Sequence, residues 1–226
     1  MTRKTSTVVG ILFIMATVTS ILSGFFLGSF EAPDFLVSVA ANENLVKQGM
    51  LVQIIWGLAC LGIPVALHPI LRKQNEALSM GFFSLRLIEC IFVFVGVVCQ
   101  LAVVSLSKEI SGVVDSSIYY ASGLSLLAVR DWAFWVGPSI AFALSAVILN
   151  YVLYKSRIVP RWVSGLGLFG ALLYMPAEGL ALFGNDKFMF LAAPIALQEM
   201  ILAVWLIAKG FNSAAINSQT SQREAY

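Results

Sequence analysis

Apolar residues along this chain gather into six long blocks with few charges, each about twenty residues or more in length and separated by shorter polar segments. Crossing roughly 30 Å of hydrocarbon at 1.5 Å per residue takes about 20 residues, so blocks of this length read as membrane helices. They run approximately from Val8 to Phe30, Gly49 to Leu71, Leu78 to Leu106, Trp132 to Tyr154, Trp162 to Phe183 and Phe188 to Ala208. The third is longer than a span requires and is expected to tilt or to pass beyond one interface. A strand with open edges would leave backbone N–H and C=O groups unpaired in lipid at several kcal/mol each, which leaves the helix. The pattern predicts an all-α polytopic membrane protein: a bundle of six transmembrane helices forming one domain over residues 1–211.

Arg3 and Lys4 precede the first block, and Ser38-Val39-Ala40 beyond it resembles a cleavage site. The block nevertheless exceeds the roughly 7 to 15 apolar residues of a signal peptide and is read as a span. The segments 31–48 and 107–131 are long enough to contain structure. Their mixture of apolar residues (Phe35, Leu36, Val37, Val39; Ile118, Tyr119, Tyr120, Leu124) with polar ones predicts short helices lying on the membrane surface, or a lid over a cavity. From Asn212 to Tyr226 the chain is polar without apolar periodicity and is expected to be a disordered tail. Prolines interrupt four blocks, at Pro64 and Pro69, Pro138, Pro176 and Pro194. Each removes a backbone donor and frees a carbonyl, giving a kink or inviting a polar neighbour.

Charge sets an orientation. With six spans, one side collects Arg3, Lys4, Arg72, Lys73, Lys155, Arg157, Arg161, Lys209 and Arg223, and the other only Lys47, Lys108, Arg130 and Lys187. By the positive-inside rule both termini are expected in the cytoplasm. Trp132 and Trp162 begin the fourth and fifth spans at opposite interfaces, where amphipathic rings commonly sit.

Composition narrows the chemistry. The chain is 59% hydrophobic and 12% charged with a net charge of +2, against roughly 25% charged residues in a soluble domain. The bilayer is its expected partner; no nucleic-acid partner is expected, because no run of Lys and Arg is present. Cys60, Cys90 and Cys99 all fall inside apolar blocks with no CxxC pair, and His68 is the single histidine. Neither a disulfide framework nor a metal site follows, and no cofactor is expected.

An ionisable group inside a span costs roughly 2.5 to 3.5 kcal/mol on insertion scales, so each is a functional candidate. Arg86 and Glu89 lie three apart in the third block and can pair on one helix face. Glu199 follows Gln198 near the middle of the sixth. Glu178 lies about 24 Å along the fifth from its inner end, close to outer water. Three carboxyls against one guanidinium leave a surplus of negative charge. It can be met by a proton, by a wet cavity or by a bound cation. Gln53, Gln100 and Asn150 are polar positions on other spans that could complete such a site. Alternatively Arg86 and Glu89 form a structural ion pair while Gln198 and Glu199 are interhelical hydrogen-bond glue at about 0.6 kcal/mol per contact. His68, one residue before Pro69, reads as an interfacial polar residue rather than a proton relay.

Several of these residues fall in motifs that resemble a known family. Asp34-Phe35-Leu36 with Ala41-Asn42, His68-Pro69-Ile70-Leu71-Arg72-Lys73, Leu85-Arg86-Leu87-Ile88-Glu89 and Tyr154-Lys155-Ser156-Arg157-Ile158-Val159-Pro160-Arg161-Trp162 are similar to the bacterial membrane proteins grouped as domain of unknown function 4386. So are Pro194, Glu199, Ala203-Val204-Trp205-Leu206-Ile207 and Lys209-Gly210-Phe211. The resemblance covers about Asp34 to Phe211 and implies a six-helix bacterial inner-membrane protein. It supplies no activity.

The first functional expectation is a non-enzymatic binding, sensory or accessory membrane component, in keeping with the lack of a catalytic signature. The second is a transporter or channel linked to a proton, a cation or a small solute, motivated by the surplus carboxyls and the proline breaks. A lipid-modifying intramembrane enzyme is third, because no Ser/His or Cys/His set accompanies the carboxyls.

Overall fold

The computed structural model describes residues 2–110, 116–212 and 214–216. Among these residues the chain forms α1 (Thr2–Phe26), α2 (Phe35–Ala41), α3 (Glu43–Leu71), α4 (Glu76–Glu109), α5 (Ser117–Phe134), α6 (Phe142–Ser156), α7 (Arg161–Leu182) and α8 (Ala193–Ala208). A π-helical segment, Trp135–Ala141, joins α5 to α6 without a break, and a 3-10 turn, Asp186–Ala192, leads into α8. Six of the resulting helices are long and apolar enough to cross a membrane, the fourth being the 40-residue unit Ser117–Ser156.

Burial runs in the sense a bilayer demands. Large apolar side chains such as Ile11, Leu51, Val98, Phe169, Leu172 and Val204 are exposed, whereas Gln53, Arg86, Glu89, Gln100, Asn150, Glu178 and Gln198 are buried. Apolar patches of this extent are untenable in water and favourable against acyl chains. The chain is a multi-pass membrane protein built as a six-helix bundle.

Each span packs on the next in chain order, α1 on α3, α3 on α4, α4 on α6, α6 on α7 and α7 on α8, and α8 returns to α1. The spans therefore close into a ring. Local chemistry sets their ends. Asn75 caps α4 by accepting the Leu78 N–H at 3.0 Å. Arg157 ends α6 in the left-handed conformation (φ 55°), two residues before the Val159-Pro160 pair that precedes α7. Gly210 ends α8 at φ +77°, a geometry that costs glycine little. The two described ends of the chain meet at one end of the ring: the Arg3 guanidinium donates to the terminal carbonyls of α8, Ile207 O at 2.8 Å and Ala208 O at 3.1 Å.

The two connecting segments differ from each other. The first contains α2, whose Phe35, Leu36 and Val39 are buried in an apolar cluster with Phe30, Val103 and Leu127. In the second, residues 111–115 lie outside the described residues, and from Ser117 onward the chain is already the fourth helix. The expected surface helix is thus the extension of that span, because Leu127 and its partly buried neighbours Tyr119, Tyr120 and Leu126 find apolar partners on the same cluster. At the other end, the Asn212 N–H donates to Ile158 O at 2.9 Å and Ile216 is buried in the core near the chain ends. Ser213 and residues 217–226, the rest of the expected tail, lie outside the described residues.

Candidate functional site

A cavity of about 220 Å³ occupies the middle of the ring and draws its lining from all six spans, including Phe13 of α1, Cys60 of α3, Arg86 and Glu89 of α4, Phe142 of α6, Tyr174 of α7 and Glu199 of α8. Arg86 lies about 15 Å along the axis from the start of α4, and Glu199 about 14 Å from the end of α8. Both are therefore at membrane depth. Below them, toward the chain ends, Phe13, Phe82, Ile63 and Leu202 belong to a closed apolar core. Thr17 and Ser20 of α1, Met189 of the 3-10 turn and Ala196 of α8 line the other part, and each is partly or fully exposed. The mouth lies between α1 and α8, in the half away from the chain ends.

The floor is an ionic triad. Arg86 Nη1 donates to Glu89 Oε2 at 3.0 Å and Nη2 donates to Glu199 Oε1 at 3.1 Å. Spacing places the first pair on one face of α4; the second is made across the ring. Cys60 of α3 lines the same cavity. The guanidinium carbon is 5.1 Å from the Phe142 ring centroid, 5.8 Å from Phe82 and 6.0 Å from Phe13. These are cation–π distances. The Arg86 Nε–H is buried in that aromatic shell with no hydrogen-bond partner among the described residues. Arg86 and Glu89 are almost wholly enclosed, while the Glu199 side chain keeps 16% of its surface open.

Two close backbone approaches hold α8, and with it Glu199, in place. A Cβ on Gly10 would lie 2.6 Å from Ala203 O, and one on Gly170 would lie 2.6 Å from Ile195 N. Small residues at such contacts let membrane helices approach closely. The wall beside Glu89 is the π-helical segment, where Pro138 lacks the N–H an α-helix would use. One wider turn accommodates it.

The other candidates separate from this site. Gln198 Nε2 donates to Asn150 Oδ1 at 3.1 Å, and Asn150 Nδ2 donates to Ala146 O at 2.9 Å, a buried link between α8 and α6. Glu178 is 3% exposed rather than at outer water. Its own carbonyl accepts from Trp135 Nε1 at 3.3 Å, and it does not line the cavity. Gln53 and Gln100 are buried, each with an Oε1 that has no partner among the described residues, and neither reaches the cavity. His68 Nδ1 is 3.0 Å from Ser79 Oγ and ties α3 to α4.

Sequence reasoning did not single out Cys60 as a lining residue, nor the aromatic shell. Phe82, four residues before Arg86, carried a usable signal, since that spacing puts both on one helix face. Phe13 and Phe142 carried none. Among the described residues no group of three or more His, Cys, Asp or Glu could hold a metal ion.

Compared with known proteins, residues 8–210 match the family model described as Domain of unknown function (DUF4386). No curated protein and no solved structure matches the chain.

Proposed function

We propose that this chain, which belongs to the family described as Domain of unknown function (DUF4386), is a binding component of the bacterial inner membrane that takes a small organic cation into its central cavity. The observation that carries the reading is the unmatched charge of the triad. One guanidinium faces two carboxylates, and in a low-dielectric interior the remaining negative charge calls for a proton or a cation. Trp56 and Tyr174 offer aromatic surface in the same cavity, and that pairing suits an ammonium group on an apolar body. Glu199, the only partly open member, is the group such a cation meets. The excess of Lys and Arg in the segments at the end shared by both termini supports a cytoplasmic position for that end. Ligand would then enter from the opposite half.

Benzyltrimethylammonium binding to the purified protein in micelles tests this reading by calorimetry. Saturable one-site binding is expected, with proton release. Glu199→Gln balances the triad and is expected to weaken binding at least tenfold; equal binding by the variant, or uptake that never saturates, refutes the proposal. A second reading, cation- or proton-linked transport, draws support from the proline-containing π-helical wall beside Glu89. In proteoliposomes it predicts pH-dependent or cation-dependent flux that is abolished by Glu199→Gln or Glu89→Gln, and flux unchanged by both removes it.

A further inference from the structure

A second site lies where α7 begins and α8 ends. There a notch of about 480 Å³ is lined by Arg157, Arg161 and Lys209, and among the described residues no acidic side chain lines it. Its walls are built rather than incidental, because the Asn212 N–H to Ile158 O bond ties the two chain segments together and Phe211 beside it is buried. Arg157 and Lys209 form no ion pair among the described residues, and Arg161 stacks 5.1 Å from the Tyr154 ring. Local helix ends favour an anion here. No side chain caps the N-terminus of α7, which follows Pro160, while Arg3 covers the α8 carbonyls that would repel negative charge.

An apolar groove of about 410 Å³ adjoins the notch. Trp205 and Lys209 line both, and the groove continues along α8 over Ile201, Val204 and Ala208. Val204 is 59% exposed, on the surface that faces acyl chains. A free phosphate would fill the notch and leave the groove without purpose. An amphiphile with an anionic head and a hydrocarbon tail matches both at once.

We infer that this is a binding site for an anionic phospholipid, with its phosphate held by Arg157, Arg161 and Lys209 and one acyl chain lying in the α8 groove past Trp205. Basic pockets beside transmembrane helices recognise lipid head groups in this way. The Trp162 and Trp205 rings, 6.3 Å apart and edge to face, fix the height of the head group, because indoles settle at the membrane interface.

Fluorescence quenching by lipids brominated on the acyl chain tests the site in micelles, with Trp205→Phe used to isolate the Trp205 signal. Brominated phosphatidylglycerol is expected to quench Trp205 at a mole fraction at least about tenfold lower than brominated phosphatidylcholine. Arg157→Gln combined with Arg161→Gln and Lys209→Gln is expected to erase that preference. Lys4→Gln with Lys73→Gln, which removes the same sign of charge elsewhere on that end, is expected to preserve it. If the triple variant does not fold, the single variants Arg157→Gln and Lys209→Gln carry the test, each lowering the preference by about fivefold. Ala208→Trp fills the groove without changing charge and is expected to reduce quenching. Equal quenching by the two lipids overturns the inference. So does an unchanged preference in both single variants, or an equal loss in Lys4→Gln with Lys73→Gln. Displacement of the brominated phosphatidylglycerol by soluble glycerol phosphate also overturns it, since it would make the notch a site for a free phosphate.

Discussion

Replacing Arg86 with alanine removes the cation that pairs with both Glu89 and Glu199, so its cost can be assembled from the triad's geometry. Glu89 loses a 3.0 Å charge-assisted bond while enclosed in the bundle. Leaving one partner of a buried ion pair uncompensated costs about 3–5 kcal/mol. Glu199 also loses its 3.1 Å bond, but with part of its side chain open its share is smaller, about 1–2 kcal/mol. Thermal unfolding in micelles reads the sum of about 4–7 kcal/mol: at about 2–4 °C per kcal/mol for a chain of this length, a fall in Tm of about 8–28 °C is expected. Adding Glu89→Gln is expected to recover the larger part, and adding Glu199→Gln most of the remainder apart from the lost packing on Phe13, Phe82 and Phe142. Because a neutral carboxylic acid needs no countercharge, the deficit of Arg86→Ala also narrows as the pH is lowered. An Arg86→Ala protein within about 1 kcal/mol of the parent, or a double variant no more stable than the single one, refutes the coupling.

Two further outcomes follow from the packing. Gly170→Ala places a methyl group against the backbone of Ile195 at 2.6 Å, and since backbone cannot rotate away, a loss of about 1–3 kcal/mol is expected in the same unfolding assay. Gln198→Leu strips the donor from Asn150 Oδ1 and is expected to cost about 1 kcal/mol; Asn150→Leu in addition is expected to restore most of it, whereas additive losses in the pair argue against a direct link.

The spans were legible because hydrocarbon filters sequence so strongly: a block such as Leu78 to Leu106 has no soluble alternative that leaves so little polar surface. The pairing of Arg86 with Glu89 was legible for a similar reason, since helical spacing alone puts them together. Glu199 could be suspected but not paired, because its contact with Arg86 depends on which helix closes the ring. The same limit explains Glu178, which shares a charge with Glu89 and Glu199 yet is buried without lining the cavity. Gln198 and Asn150 were each visible as buried polar positions, and only the packing of α8 on its neighbours makes them partners. In the second connecting segment, read from the sequence as a surface helix or a lid, mixed polarity reflects a helix half covered by α4, a pattern that a helix lying on lipid would also produce.

The unbroken helix from Ser117 to Ser156 is about 60 Å long, roughly twice the depth of the hydrocarbon it crosses. Its first half packs on α4, so the two swing together, and a lever of this length converts small rotations into large excursions at its far end. If a thinner bilayer tilts the buried half by about 10°, the tip of the protruding portion sweeps about 5 Å sideways. Spin labels near that tip would therefore register slab thickness as a change in distance.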